Sequence, residues 1–154
     1  METLEARSNQ VFTKIINPQQ RITTDLTGRF PFTSNRVNKY LFFLYEYDIN
    51  IILVLPMKFV MDKEVACVFQ DLHEHLTTRL LKPNYKWLDN EAYLEFQYLI
   101  NENNIDYQLS PPGMHQHGAA EKDISTFKDH FIAGLFSTDS EFLIKSYNCI
   151  LKKA

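Results

Sequence analysis

Three carboxylates stand where the chain could use them for chemistry. Asp25 lies inside the run Arg21 to Thr27, Asp89 directly follows the short run Tyr85 to Leu88, and Glu121 opens a periodic segment that begins at Ala119. Carboxylates brought close together repel, and in isolation at least one of them is pushed to a higher pKa. A divalent cation removes that penalty, and an all-oxygen donor set suits Mg²⁺ or Mn²⁺. Two such ions about 4 Å apart can activate a water or a 3′-hydroxyl and stabilise the leaving oxygen of a phosphodiester. That chemistry needs no Ser, Cys or His nucleophile. Taken singly, each residue also has a structural use. An Asp after a strand forms turns or caps a helix, and a Glu in a first helical turn complements the helix dipole.

The elements that must position these residues follow from pattern. Arg21 to Thr27 reads as a strand, Tyr40 to Tyr47 (YLFFLYEY) as an aromatic core strand and Ile51 to Leu55 as a third, joined by a turn at Asp48-Ile49-Asn50. These three form an antiparallel meander. Val65, Phe69, Leu72, Leu76 and Leu80 recur at helical spacing, with Asp62 as N-cap and Pro83 as terminator. Tyr85 to Leu88 is a short strand. A helix over about 91–101 presents Ala92, Phe96 and Leu99, and Ile105 to Leu109 is a fifth strand. Ser110 to Gly118 (SPPGMHQHG) is a loop. A helix from Ala119 to about Leu135 has Ile124, Phe127, Phe131 and Leu135 as its buried stripe, and Thr138 or Asp139 caps a last helix with Phe142, Ile144 and Ile150. Three strands, then helix, strand, helix, strand and two helices, predict an α/β mixed sheet covered by helices.

The residues around the carboxylates carry a resemblance. Thr24-Asp25-Leu26-Thr27-Gly28-Arg29-Phe30 resembles the first-Asp motif of integrase catalytic cores from retroviruses and LTR retrotransposons. Leu88-Asp89-Asn90-Glu91-Ala92 resembles the second. Ser110-Pro111-Pro112, His115 and Ala119-Ala120-Glu121, continued by Thr126 to Leu135 (TFKDHFIAGL), resembles the loop and helix that carry the final Glu. Asp89 and Glu121 are 121 − 89 = 32 positions apart, near the family's interval, and the resemblance runs from about Arg21 to Thr138.

It implies a ribonuclease H-like fold, a five-stranded mixed sheet with its first three strands antiparallel. It also implies a DDE-type, Mg²⁺- or Mn²⁺-dependent polynucleotidyl transferase that trims the 3′ ends of transposable-element DNA and joins them to target DNA. Asp25, Asp89 and Glu121 would be catalytic and hold two metal ions. Residues 112–118 would form a loop beside the site, and Lys128, Lys122, Gln116 and His117 would face nucleic acid. Residues 1–20 are then a lead-in segment. Residues 21–154 are a core-like domain, incomplete or divergent at its C-terminal part. DNA and a second copy of the chain are the implied partners. The location is intracellular, and nuclear if the chain is active in a eukaryotic host.

Other features pull against that activity. The net charge is −3, whereas phosphate neutralisation by Lys and Arg drives most DNA affinity. Gln116 and His117 stand where this branch of the family usually has arginines, Ser125 stands at an often basic position, and Asp123 adds negative charge. The family's zinc module of paired His and paired Cys is not in the sequence, nor is its basic C-terminal domain. The expectation is a fragment, a decayed copy or a domesticated one. Two alternatives therefore stay open: a non-catalytic interaction or structural domain that keeps the fold, and a ribonuclease H-like nuclease cutting RNA–DNA hybrids.

The remaining candidates read as structure. His73 and His75, two apart on a helix, point apart and are expected in solvent. His115 and His117 read as ordinary loop residues. Trp87 and Cys67 read as core. The cysteines, Cys67 and Cys149, form no C-x-x-C pair and fit a reducing compartment. Met1 to Gln10 has no apolar stretch of a signal peptide, and the longest aliphatic run, Ile51 to Leu55, is far too short to span a bilayer.

Overall fold

The computed structural model describes residues 20–88, 94–109, 119–138 and 144–151. Five strands form its centre: β1 (Arg21–Leu26), β2 (Tyr40–Glu46), β3 (Ile51–Met57), β4 (Tyr85–Leu88) and β5 (Asp106–Leu109). The spatial order is β3-β2-β1-β4-β5. β1, β2 and β3 pair antiparallel, while β4 runs parallel to β1 and β5 parallel to β4. This is the predicted mixed sheet with an antiparallel meander at one side. The helices are α1 (Asp62–Thr77), α2 (Leu94–Glu102), α3 (Ala119–Phe136) and α4 (Tyr147–Leu151), with a 3₁₀ turn at Ile144–Ser146 before the last.

The sheet separates two cores because side chains alternate between its faces. Ile22, Phe42, Leu44, Leu53 and Met57 meet Val65, Phe69, Leu72 and Leu76 of α1 and Phe96 and Ile100 of α2. Leu41, Phe43, Tyr45 and Val54 point the other way, into a cluster with Ile124 and Leu135 of α3 and Tyr147 and Leu151 of α4. β2 is buried at six of its seven positions, which explains its unbroken apolar sequence: the central antiparallel strand is covered on both sides. α4 is tied to the β1–β2 connection. The Tyr147 hydroxyl donates to the Asn38 carbonyl at 3.0 Å, and its ring lies 4.9 Å from that of Phe30.

Several predicted boundaries and placements need correction. Asp62 is not the N-cap of α1. Met61 occupies that position with an extended backbone and no side-chain cap. The ordering carboxylate is Glu64, which accepts from the backbone N–H groups of Lys58 and Phe59 at 2.7 and 2.8 Å. Pro83 does not end the helix either. The chain leaves it after Thr77 through left-handed Leu80 (φ 66°), with the Leu81 N–H donating to the Leu76 carbonyl at 3.1 Å. That is a Schellman-type closure with leucine in the place usually given to glycine. α2 closes alike: Asn104 has φ 56° and the Ile105 N–H donates to the Ile100 carbonyl.

Thr138 donates its hydroxyl to the Leu135 carbonyl at the end of α3 at 2.7 Å, and the residues directly after it, 139–143, lie outside the described residues. Cys67 is exposed rather than packed. His73 is buried and stacked on Phe69 at 6.0 Å, not solvated, and burial lowers its pKa; His75 is exposed as expected. The lead-in before Gln20, Ala92, Asp139, Phe142 and the side chains of Trp87, Ile144 and Ile150 lie outside the described residues.

Candidate active site

Asp25 sits near the C-terminal end of β1, opposite Phe43 of β2 in the antiparallel register. Direct cross-strand partners share a face, so Asp25 projects on the side covered by α3. Its side chain is 40% exposed, and that of Lys128 is 23% exposed. The Lys128 ammonium donates to Asp25 Oδ2 at 2.5 Å, a short charge-assisted bond. The same ammonium lies 5.0 Å from the centre of the Phe43 ring, within cation–π range.

The helical repeat explains why α3 presents a lysine here. Ile124, four positions earlier, is fully buried against the sheet, and positions i and i+4 share a helix face. A shallow pocket of about 260 Å³ adjoins the pair, lined among others by Thr27, Arg29, Phe30, Lys128 and Phe131.

Glu121 lies in the first turn of α3 and is exposed. It borders Tyr47, whose phenol pKa is raised first by burial; Arg21 opposes that shift and Glu121 adds to it. The Arg21 guanidinium covers the Tyr47 ring at 4.0 Å. Glu121 therefore belongs to the end of the sheet where β1 starts. Seven residues separate it from Lys128, roughly 10 Å along the axis at 1.5 Å per residue. Between them Tyr45 donates its hydroxyl to Asp123 at 3.2 Å and also bonds Asn50. Lys122 is exposed.

Asp89, Gln116, His117 and the loop 112–118 lie outside the described residues. Among those that are described, no group of three or more His, Cys, Asp or Glu side chains is placed to hold a metal ion. The chemistry of Asp25 nevertheless fits a divalent cation. It is an accessible hard-oxygen donor whose carboxylate already holds one cation, the Lys128 ammonium.

β1 and β4 pair with Arg21 opposite Tyr85 and Ile22 opposite Lys86. The offset is 85 − 21 = 64, and 89 − 25 = 64 likewise separates Asp25 from Asp89 in the sequence.

A second lysine near the strand was not visible in the sequence as anything special. Lys86 of β4 is completely buried and bonds the Thr24 hydroxyl. Its ammonium lies 5.1 Å from the Phe96 ring centre and 5.9 Å from that of Phe69. Burial lowers its pKa to about 7. A lysine between Tyr85 and Trp87 in a strand suggests one wet face; here helices cover that face.

No protein-family model and no curated protein matches the chain. Solved structures do. The chain is similar to one from the simian T-cell lymphotropic virus intasome in complex with PP2A regulatory subunit B56 gamma, with a TM-score of 0.63 and 16% identity over 90% of this chain. It spans about half of that partner in the comparison, 49%. It is also similar to the HTLV-2 integrase catalytic core domain in complex with magnesium. The dimeric form gives a TM-score of 0.59 at 19% identity, covering 87% of this chain and 84% of the other. The trimeric form gives 0.59 at 18%, covering 87% and 83%. At these identities the likeness concerns the fold, which is the ribonuclease H-like fold of retroviral integrase catalytic cores. Among the described residues, no helix is long and apolar enough to cross a membrane.

Proposed function

We propose, from the premise of an integrase-core fold, that this chain is a metal-dependent polynucleotidyl transferase core of retroelement origin. Its substrates are the 3′ ends of element DNA and a target duplex. The observation that carries the reading is the strand arrangement around Asp25. The first carboxylate lies on the central strand β1, and the strand beside it in parallel, β4, ends at the residue before Asp89. Ligands of open α/β sheets gather outside the carboxyl ends of such strands. The similar HTLV-2 cores are magnesium complexes.

In this reading Asp25, Asp89 and Glu121 are the metal ligands and catalytic residues, and Glu121, which stands beside Tyr47 and Arg21 at the other end of β1 from Asp25, must draw toward Asp25 to share an ion with it. Two Mg²⁺ or Mn²⁺ ions would supply activation of the attacking oxygen and stabilisation of the leaving one. Asp25, fixed on a strand paired on both sides, contributes a rigid donor. Lys128, Lys122, Gln116 and His117 face the DNA, with the lysines contributing phosphate contacts that orient the strand. The active species is a homo-dimer or higher oligomer, and it acts in the nucleus of a eukaryotic host.

The test is Mn²⁺- or Mg²⁺-dependent cleavage and strand transfer on element-end DNA. Asp89→Asn and Asp25→Asn should each abolish activity while leaving the fold intact by circular dichroism. Activity unchanged in Asp89→Asn would overturn the metal assignment.

The closed ion pair between Asp25 and Lys128, with the net charge of −3, favours a second reading: a folded interaction domain with no turnover. Mn²⁺ binding that disappears in Glu121→Gln counts against it. Cleavage of an RNA–DNA hybrid in preference to duplex DNA would instead point to a hybrid nuclease.

A further inference from the structure

The contact between Lys128 and Asp25 has a consequence for how metal and nucleic acid reach this site. Asp25 lies on β1, Lys128 on α3, and 103 positions of chain separate them, yet the ammonium is 2.5 Å from Oδ2. Lys128 holds this position with two interactions at once, the carboxylate and the face of Phe43. Its side chain is less exposed than that of Asp25, 23% against 40%. The carboxylate that would bind a divalent cation thus already has a cation on it, supplied by the protein. The lysine that would contact a phosphate already has an anion on it.

We infer that the Lys128–Asp25 pair is an internal lock that couples metal binding to nucleic-acid binding; this rests on Asp25 being a metal ligand. A divalent ion arriving alone must displace Lys128, leaving an ammonium beside Phe43 without its anion. A phosphodiester arriving alone must take Lys128 from Asp25, leaving a carboxylate without its cation. When both arrive, one ion pair is exchanged for two: Lys128 with the phosphate oxygen and Asp25 with the metal. Neither orphan remains, so each ligand strengthens the other. Linkage requires the coupling to be reciprocal.

The lock also gives the site a resting state. Without DNA, the carboxylate is held neutralised and is a poorer metal ligand. No proton is transferred and no bond is made or broken; the device is an exchange of ion pairs.

The experiment is calorimetric titration of Mn²⁺ into the full chain, with and without a short DNA duplex, for the wild type, Lys128→Met, Lys128→Gln and Asp25→Asn. Lys128→Met keeps the aliphatic stem against Phe43 and removes the charge; Lys128→Gln is the second variant should the first not fold. Without DNA, removing the lysine should tighten Mn²⁺ binding about fivefold, as expected for an ion pair of this exposure. A lysine with a merely structural role would weaken binding or leave it alone. DNA should tighten Mn²⁺ binding to the wild type by a similar factor and lose that effect in both Lys128 variants. Mn²⁺ binding that needs Asp25 but is equally tight with and without Lys128 would overturn the lock and spare the metal assignment. No Mn²⁺ binding to any variant, or binding indifferent to Asp25→Asn, would overturn both.

Discussion

Two lysines lie on opposite sides of one sheet, and their difference separates what builds this molecule from what it can do. Lys86, under α1 and α2, is fully buried against two phenylalanine rings and donates to a neutral hydroxyl, that of Thr24. Lys128, on α3, has one ring and a carboxylate and keeps contact with water. Both use the aromatic face, since the ring quadrupole attracts a cation. Among the described residues, only the second has an anion, and it keeps a route to solvent. The first is part of a core, its pKa lowered to about 7 by desolvation. The second remains available for exchange with ligands. The α1/α2 side holds the sealed lysine, and the α3 side carries the pair to which we assign binding.

The largest loss is expected at Phe69, which lies fully buried between Phe96, His73 and Lys86. Phe69→Ala should cost about 3–5 kcal/mol of stability by urea denaturation. A loss below about 1 kcal/mol would mean that the α1 face is not the main core.

Lys86 sharpens the contrast through pH. Its folded pKa, about 7, lies below that of the unfolded chain. Between about pH 7 and pH 10 the unfolded state therefore binds more protons, and stability rises with pH across that window. Below about pH 7 the full cost of the buried charge is present. Lys86→Met should raise stability by roughly 2–4 kcal/mol at pH 6. The gain should shrink towards zero by about pH 10, with the wild-type slope lost. A gain independent of pH would mean that Lys86 reaches water.

The smallest effect belongs to the other lysine. A double-mutant cycle between Asp25→Asn and Lys128→Met should give a coupling of about 0.5–1 kcal/mol, reduced by added salt. A coupling of several kcal/mol would place the pair in a dry interior, against its exposure.

These effects also mark how far the sequence could be read. β2 and β3 were visible because YLFFLYE and IILVLPM cannot be left in water, and the α3 stripe because Ile124 and Leu135 recur at helical spacing. The motif residues could be singled out as candidates for a similar reason: their order along the chain is local information. His73 was misread because the helix is covered more widely than its aliphatic stripe suggests, so an imidazole stacks where solvent was expected. Lys86 was not singled out because period-2 alternation says which residues share a face and not whether that face is covered.

Composition and periodicity by themselves determined the element order and the apolar interior, since burying such segments is the dominant favourable term in folding. They placed Asp25 on a strand and Glu121 in the first turn of a helix. Tertiary structure alone decided that β4 lies parallel to β1, that one lysine is sealed between two helices, and that another, 103 positions from Asp25, closes on its carboxylate. The reason is physical. Hydrophobic burial is non-directional and can be read residue by residue, whereas an ion pair and a strand register depend on which distant segments the packed helices bring to the same few ångströms.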